Sequence, residues 1–237
     1  MSALLLEIRD MFAGYGETEV LHGVSFTVRP GEAVGLLGRN GMGKTTLMRA
    51  VLAQAQVSAG EIWFRGNSIG AASTDAIARA GIALVPEGRQ IFPNLTVAEN
   101  LRAFAEVRNF SRQPWTLERV YALFPSLAAR ARNLGNALSG GEQQMLAIGR
   151  ALMTNPYLLL IDEATEGLAP LVREQIWACL AQLKAAGQAM IVVDKYVDRL
   201  IELADRHVIL ERGQLAWRGS SQELGLDRSL WERYLGV

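Results

Sequence analysis

Residues 33–45 read Ala33-Val34-Gly35-Leu36-Leu37-Gly38-Arg39-Asn40-Gly41-Met42-Gly43-Lys44-Thr45, and this stretch decides the fold. It opens with a continuous run of small apolar residues, the pattern of a parallel strand buried on both faces. It then passes through a glycine-rich turn of the form G-x-x-x-x-G-K-[ST] into a helical pattern over 45–53. Glycines let backbone N–H groups wrap an anion, and the helix N-terminus adds partial positive charge. Lys44 can reach the β- and γ-phosphates of a nucleotide, and Thr45 can bind Mg²⁺. Gly38, Asn40, Gly41, Gly43, Lys44, Thr45 and Thr46 are therefore candidate nucleotide-binding residues. In a chain with 23 glycines among 237 residues and three lysines, chance supplies such a match about 0.003 times.

Further along, Tyr157-Leu158-Leu159-Leu160-Ile161-Asp162-Glu163 is an apolar strand that ends in two acids. In an open α/β sheet, ligands bind at the carboxyl ends of the strands. Asp162 is the candidate to hold Mg²⁺ through water, and Glu163 the candidate to polarise the attacking water. Continuous apolar strands are also expected at 82–85 and 190–193, with helices at 172–185 and 200–204. Lys195 follows the 190–193 strand, so it should emerge at the same sheet edge as Glu163. There it is a second catalytic candidate. The only other lysines are Lys44 and Lys184; the chain otherwise uses arginine.

Short alternating segments at 4–11, 23–29 and 61–66 read as antiparallel strands, and 207–210 with 214–217 as a hairpin around Gly213. Between 98 and 131 the pattern turns helical, with apolar spacing of three and four residues over 99–108 and 117–124. Ser139 opens another helix with Glu142 three residues on, the mark of a capping box. The expectation is an α/β P-loop fold in one domain over 1–237. It has a parallel-sheet core, an antiparallel β flank and a helical subdomain at about 88–155.

Composition narrows the class. Hydrophobic residues make up 50% and charged residues 20%, which excludes a disordered chain. Lys plus Arg equals Asp plus Glu at 24, so no charge excess points to nucleic acid. The single cysteine, Cys179, cannot form an intrachain disulfide, and a reducing compartment is expected. It falls in a predicted helix among Ile176, Leu180 and Leu183, so core packing is its expected role. The apolar runs are far below the roughly 18 residues a membrane span needs, and no signal peptide is expected.

Leu138-Ser139-Gly140-Gly141-Glu142-Gln143-Gln144, just upstream of the carboxylate strand, resembles the signature motif of ABC ATPases. The resemblance extends along the chain. Tyr15 matches the aromatic that stacks on adenine, and Val85-Pro86-Glu87 lies at the Q-loop, where Glu87 would accept from a metal-bound water. Gly167-Leu168-Ala169-Pro170 lies at the D-loop, and Val193-Asp194-Lys195-Tyr196 at the switch-histidine loop. The resemblance implies ATP and Mg²⁺ as cofactors and a head-to-tail dimer with a second ABC ATPase subunit. Ser139 and Gly141 would then contact the γ-phosphate across that interface.

Pro86-Glu87-Gly88-Arg89, Phe92-Pro93-Asn94-Leu95-Thr96-Val97 and Glu166-Gly167-Leu168-Ala169-Pro170 resemble the ATPases of branched-chain amino acid uptake systems. The urea and short-amide importers share much of this pattern, and Thr165-Glu166-Gly167 leans toward them. By resemblance, the partners are ATP, membrane permease subunits on whose cytoplasmic face the chain sits, and, indirectly, an extracytoplasmic solute-binding protein. Arg89 and Phe92 are candidates for the surface that meets the permease. Four positions depart from the general ABC pattern: Glu87 for Gln, Ala164 for Pro, Ala169 for Asp and Lys195 for the switch His. They leave a weakly hydrolytic regulatory module as the alternative.

Overall fold

The computed structural model describes residues 4–106 and 114–235. The first half runs β1 (Leu6–Tyr15), β2 (Thr18–Val28), β3 (Ala33–Leu37), α1 (Lys44–Val51), β4 (Gln56–Phe64), β5 (Asn67–Ser68), α2 (Thr74–Ala80) and β6 (Ile82–Val85). Helices α3 (Val97–Arg102), α4 (Leu117–Leu123), α5 (Pro125–Ala129) and α6 (Gly140–Met153) follow. The chain then alternates through β7 (Leu158–Asp162), α7 (Pro170–Ala185), β8 (Ala189–Val193), α8 (Val197–Leu203) and β9 (Arg206–Glu211). It closes with β10 (Gln214–Ser220), α9 (Ser221–Leu226) and α10 (Arg228–Tyr234).

Six strands form one sheet in the order β10-β9-β3-β8-β7-β6. All neighbours in it are parallel except the β9–β10 hairpin at the edge. Every residue of β3, β7 and β8 is buried, which is why these strands read as unbroken apolar runs. Successive side chains feed opposite cores. Leu159, Ile161, Met190 and Val192 pack with α6 and α7 residues on one side. Leu158, Leu160, Ile191 and Val193 pack with α1 and the β1–β2–β4 sheet on the other. Truncating one such buried leucine to alanine costs about 2–5 kcal/mol.

The second sheet, β2-β1-β4-β5, is antiparallel. Its strands run further than alternation alone suggests. Register shifts near Asp10, which sits at φ 43°, let β1 continue to Tyr15 where the pattern breaks. The helical region also differs from expectation. Helix α3 is capped by Thr96 and Glu99 but spans only Val97–Arg102, not 99–108; residues 107–113 lie outside the described residues. Helices α2, α9 and α10 are additions to the expected set, two of them opened by serine caps at Ser73 and Ser220. Helix α6 begins as expected, with Ser139 and Glu142 forming a complete capping box. Among the described residues, no helix is long and apolar enough to cross a membrane.

Candidate active site

Parallel strands place their carboxyl ends on one side, and there the chemistry gathers. The glycine turn leaves β3, Glu87 follows β6, Asp162 ends β7, and Lys195 follows β8. A cleft of about 430 Å³ is lined by Asn40, Gly41, Gly43, Lys44, Thr45 and Thr46 on one wall and by Glu87, Glu163 and Glu166 on the other. Three glycines of the turn have left-handed backbone: Gly38 at φ 141°, Gly41 at 79° and Gly43 at 100°. Gly43 also caps α1, so the first N–H groups of that helix face the cleft with no side chain in competition.

The electrostatics are uneven in a useful way. Lys44 is buried, and Nζ donates to the carbonyls of Gly38 at 2.8 Å and Arg39 at 3.0 Å, which folds the turn around the ammonium. Burial lowers its pKa, while the charges of Glu163 and Asp162 work against that. Asp162 is buried too, and burial raises its carboxyl above the usual range against the Thr45 hydrogen bond. Its Oδ1 has no hydrogen-bond partner among the described residues. That orphaned oxygen beside the Thr45 hydroxyl suits a hydrated divalent cation, the group Mg²⁺ supplies. Glu163, at φ 48°, is pushed up to about 7, first by burial and then by its hydrogen bond with Glu166. Glu166 moves down, held by Glu163 and then by Lys195.

The expected site residues divide into four groups. Gly38, Asn40, Gly41, Gly43, Lys44, Thr45, Thr46, Glu87, Asp162 and Glu163 stand together around the cleft. Lys195 stands one side chain away: it is exposed, and Nζ lies 3.2 Å from Glu166 Oε1, not beside Glu163. Tyr15 is 42% exposed at the end of β1, near Arg49 at 3.5 Å, so it does not pack in the core. Ser139 and Gly141 lie at the start of α6 and do not line this cleft. Ser139 is exposed and accepts from the Glu142 N–H at 3.3 Å. Gly141 is buried against α7; a Cβ there would stand 2.4 Å from Val172 Cγ1.

Two partners are absent from the expectations. Glu166 lines the cleft and shares a hydrogen bond with Glu163. Thr165 Oγ1 donates to Asp194 Oδ2 at 2.6 Å, tying the loop after β7 to the loop after β8. Both follow parallel strands, so sheet order is the signal that would have paired them. Cys179 is buried, and burial pushes its thiol up to about 12, which agrees with core packing.

A phosphate-cradling turn, a buried lysine and a carboxylate pair at the ends of parallel strands define a P-loop nucleotide hydrolase. The ABC transporter family model matches residues 21–166. The high-affinity branched-chain amino acid transport ATP-binding protein BraG of Pseudomonas aeruginosa is 39% identical over 225 residues, covering 94% of this chain and 95% of that one. The Nod factor export ATP-binding protein I of a Rhizobium species is 35% identical, covering 94% of this chain and 73% of its own length. Among solved structures, the ATP-binding subunit of an ABC transporter superposes with a TM-score of 0.81 at 28% identity, covering 94% of each chain. A nucleotide-free ATP-binding cassette has the same fold, with a TM-score of 0.82 over 99% of each chain at 24% identity. The chain belongs to the ABC transporter family and is an ATP-binding cassette ATPase.

Proposed function

We propose that this ATPase energises uptake of branched-chain, hydrophobic amino acids through separate permease subunits, working at the cytoplasmic face of the membrane. The observation that carries the reading is the end-to-end match to BraG, a protein of the same length class and stated role. The export relatives match at lower identity and are longer than this chain. In this reading the whole chain, 1–237, is one cassette with a helical subdomain at about 88–155.

Each site residue then has a task. Lys44, the glycine turn and the first N–H groups of α1 hold the phosphates, and Tyr15 stacks on the adenine. Thr45, Asp162 and Glu87 would hold a hydrated Mg²⁺, which would supply neutralisation of phosphate charge. Glu163 takes a proton from water as the water oxygen bonds to the γ-phosphorus; the bond to the bridging oxygen breaks and ADP leaves. A carboxyl raised to about 7 is a base matched to neutral pH. Glu166 bonds Glu163 and Lys195 pairs with Glu166, so Lys195 acts through Glu166 on this geometry. Ser139 and Gly141 serve the nucleotide of a second, head-to-tail ATPase subunit.

A groove of about 550 Å³ on the α6 side offers the permease contact. Phe92 and Phe104 stack there at 5.8 Å between centroids, and the Arg150 guanidinium covers both. Gln90 and Phe92 line this groove beside the last turn of α6, whereas Arg89 turns away toward the start of that helix. The function is tested on the intact complex purified through this chain: leucine, isoleucine or valine with a cognate binding protein should stimulate its ATPase. Stimulation by urea or short amides instead would reassign the substrate.

A further inference from the structure

Between Glu87, in the cleft, and Phe92, in the groove, three consecutive residues have left-handed backbone: Gly88 at φ 77°, Arg89 at 66° and Gln90 at 47°. Glycine adopts this freely, but arginine and glutamine do so only where surrounding contacts over-determine them. Helix α6 supplies those contacts from both of its ends. Near its start, the Arg89 guanidinium lies against Gly140. A Cβ at Gly140 would be 2.8 Å from Nη1, 2.9 Å from Nη2 and 3.0 Å from Cζ. Nη1 also donates to Gln143 Oε1 at 3.4 Å, and Gln143 Nε2 donates onward to the Gly135 carbonyl at 3.1 Å. In the last turn of α6, Arg150 Nη2 donates to the Gln90 carbonyl at 2.6 Å. A helix N-terminus favours anions, so a guanidinium gains nothing from the dipole there. What holds Arg89 is the flat contact with Gly140 and the bond to Gln143.

We propose that Arg89 is a positioning residue: by clamping the left-handed 88–90 segment to Gly140 and Gln143, it fixes where the start of α6 stands relative to Glu87 and the cleft. Its catalytic consequence rests on the reading of Ser139 and Gly141 as contacts to a second subunit's nucleotide. Arg150, gripping Gln90 and covering Phe92, ties the same segment to the groove.

The test uses the complex purified through this chain, read by amide hydrogen exchange and ATPase kinetics. Arg89→Ala should speed exchange over residues 139–143 about tenfold and leave the glycine turn unchanged. It should lower kcat about tenfold with KM for ATP within about twofold. Gly140→Ala is the second variant, because its methyl displaces only the far end of Arg89. Alanine is the better helix former, so faster exchange in Gly140→Ala must come through Arg89. The two changes together should do no more than either alone. Unchanged exchange over 139–143 in Arg89→Ala overturns the proposal, and so does faster exchange with unaltered kcat. Equal losses in kcat, ATP affinity and thermal stability would show a merely structural role and also overturn it. Glu163→Gln in the same complex is the control. If hydrolysis is insensitive to it, the functional reading has failed, while the exchange data still judge the clamp.

Discussion

Strands β7 and β8 lie side by side, paired in parallel from Leu158 with Ala189 to Asp162 with Val193. A buried aspartate ends one and follows the other, and burial pushes both carboxyls above their usual range. After β8 the aspartate is fully engaged. Asp194 Oδ2 accepts from Thr165 Oγ1 at 2.6 Å, and Oδ1 accepts from the Tyr196 N–H at 3.2 Å. At β7, Asp162 meets the Thr45 side chain, yet its Oδ1 lacks a partner among the described residues. An unsatisfied buried acceptor costs free energy. Aspartates at neighbouring strand ends therefore do different work: Asp194 holds two loops together, and Asp162 keeps an oxygen unpaired among the described residues.

The largest effect should come from removing the charge opposite Asp162. Lys44→Ala should weaken ATP binding at least about 100-fold, because charge-assisted phosphate contacts are lost. A fluorescent-nucleotide titration that gives an unchanged Kd would break the comparison at its root. The aspartates themselves should separate cleanly. Asp162→Asn should weaken Mg²⁺-dependent ATP binding about tenfold and leave Tm unchanged or higher. Asp194→Asn should lose about 1–2 kcal/mol of stability, with ATP affinity preserved. Calorimetric melts and titrations of both variants check this, and the opposite assignment of effects would refute it.

Lys195→Ala should lower kcat about tenfold, equivalent to 1.4 kcal/mol, with little loss of ATP affinity. It removes the cation 3.2 Å from Glu166, which in turn bonds Glu163. A normal rate within the complex would reduce Lys195 to a solvated ion pair. The pH profile adds a sign. In the proposed role Glu163 acts ionised, so kcat/KM should fall as pH drops through about 7, and an ATPase profile flat from pH 8 to 6 would contradict that role.

A third buried group gives the smallest effect. His207 is fully buried, and Nε2 lies 2.8 Å from Ser221 Oγ, while Nδ1 has no partner among the described residues. Burial, then the Lys184 charge, lowers its pKa to about 4 from an ordinary 6.5. The folded chain thus binds fewer protons than the unfolded one between those values. Stability is full above about pH 6.5 and declines as pH falls toward 4. About 1 kcal/mol should vanish between pH 6.5 and 5.5, a Tm drop of about 2–4 °C. Melts of a His207→Gln variant should lack that component of the decline.

Much of this site is legible in one dimension. The runs Ala33 to Leu37 and Leu158 to Ile161 betray themselves because a strand buried on both faces has no polar positions. The turn after the first needs its glycines in place, and Ser139 with Glu142 announces the start of α6. What stays hidden depends on sheet order. Thr165 meets Asp194 because β7 lies beside β8, and Glu166 meets Lys195 for the same reason. No local period encodes that adjacency. The early start of α3 and the long β1 escaped for a different cause: a cap at Thr96 and a bulge near Asp10 set those boundaries, and both override periodicity.

The contact between Gly141 and Val172 has a consequence for how this sequence can change. A methyl group at 141 would sit 2.4 Å from Val172 Cγ1, so the two positions share one fixed volume. Gain at one must be matched by loss at the other, and neither can grow alone without prising α6 from α7. Since α7 follows directly on the loop after Glu163, a side chain enlarged at 172 would be felt at both ends of the molecule's chemistry. In a library that randomises both positions, functional members should trace a diagonal: small with large, never large with large.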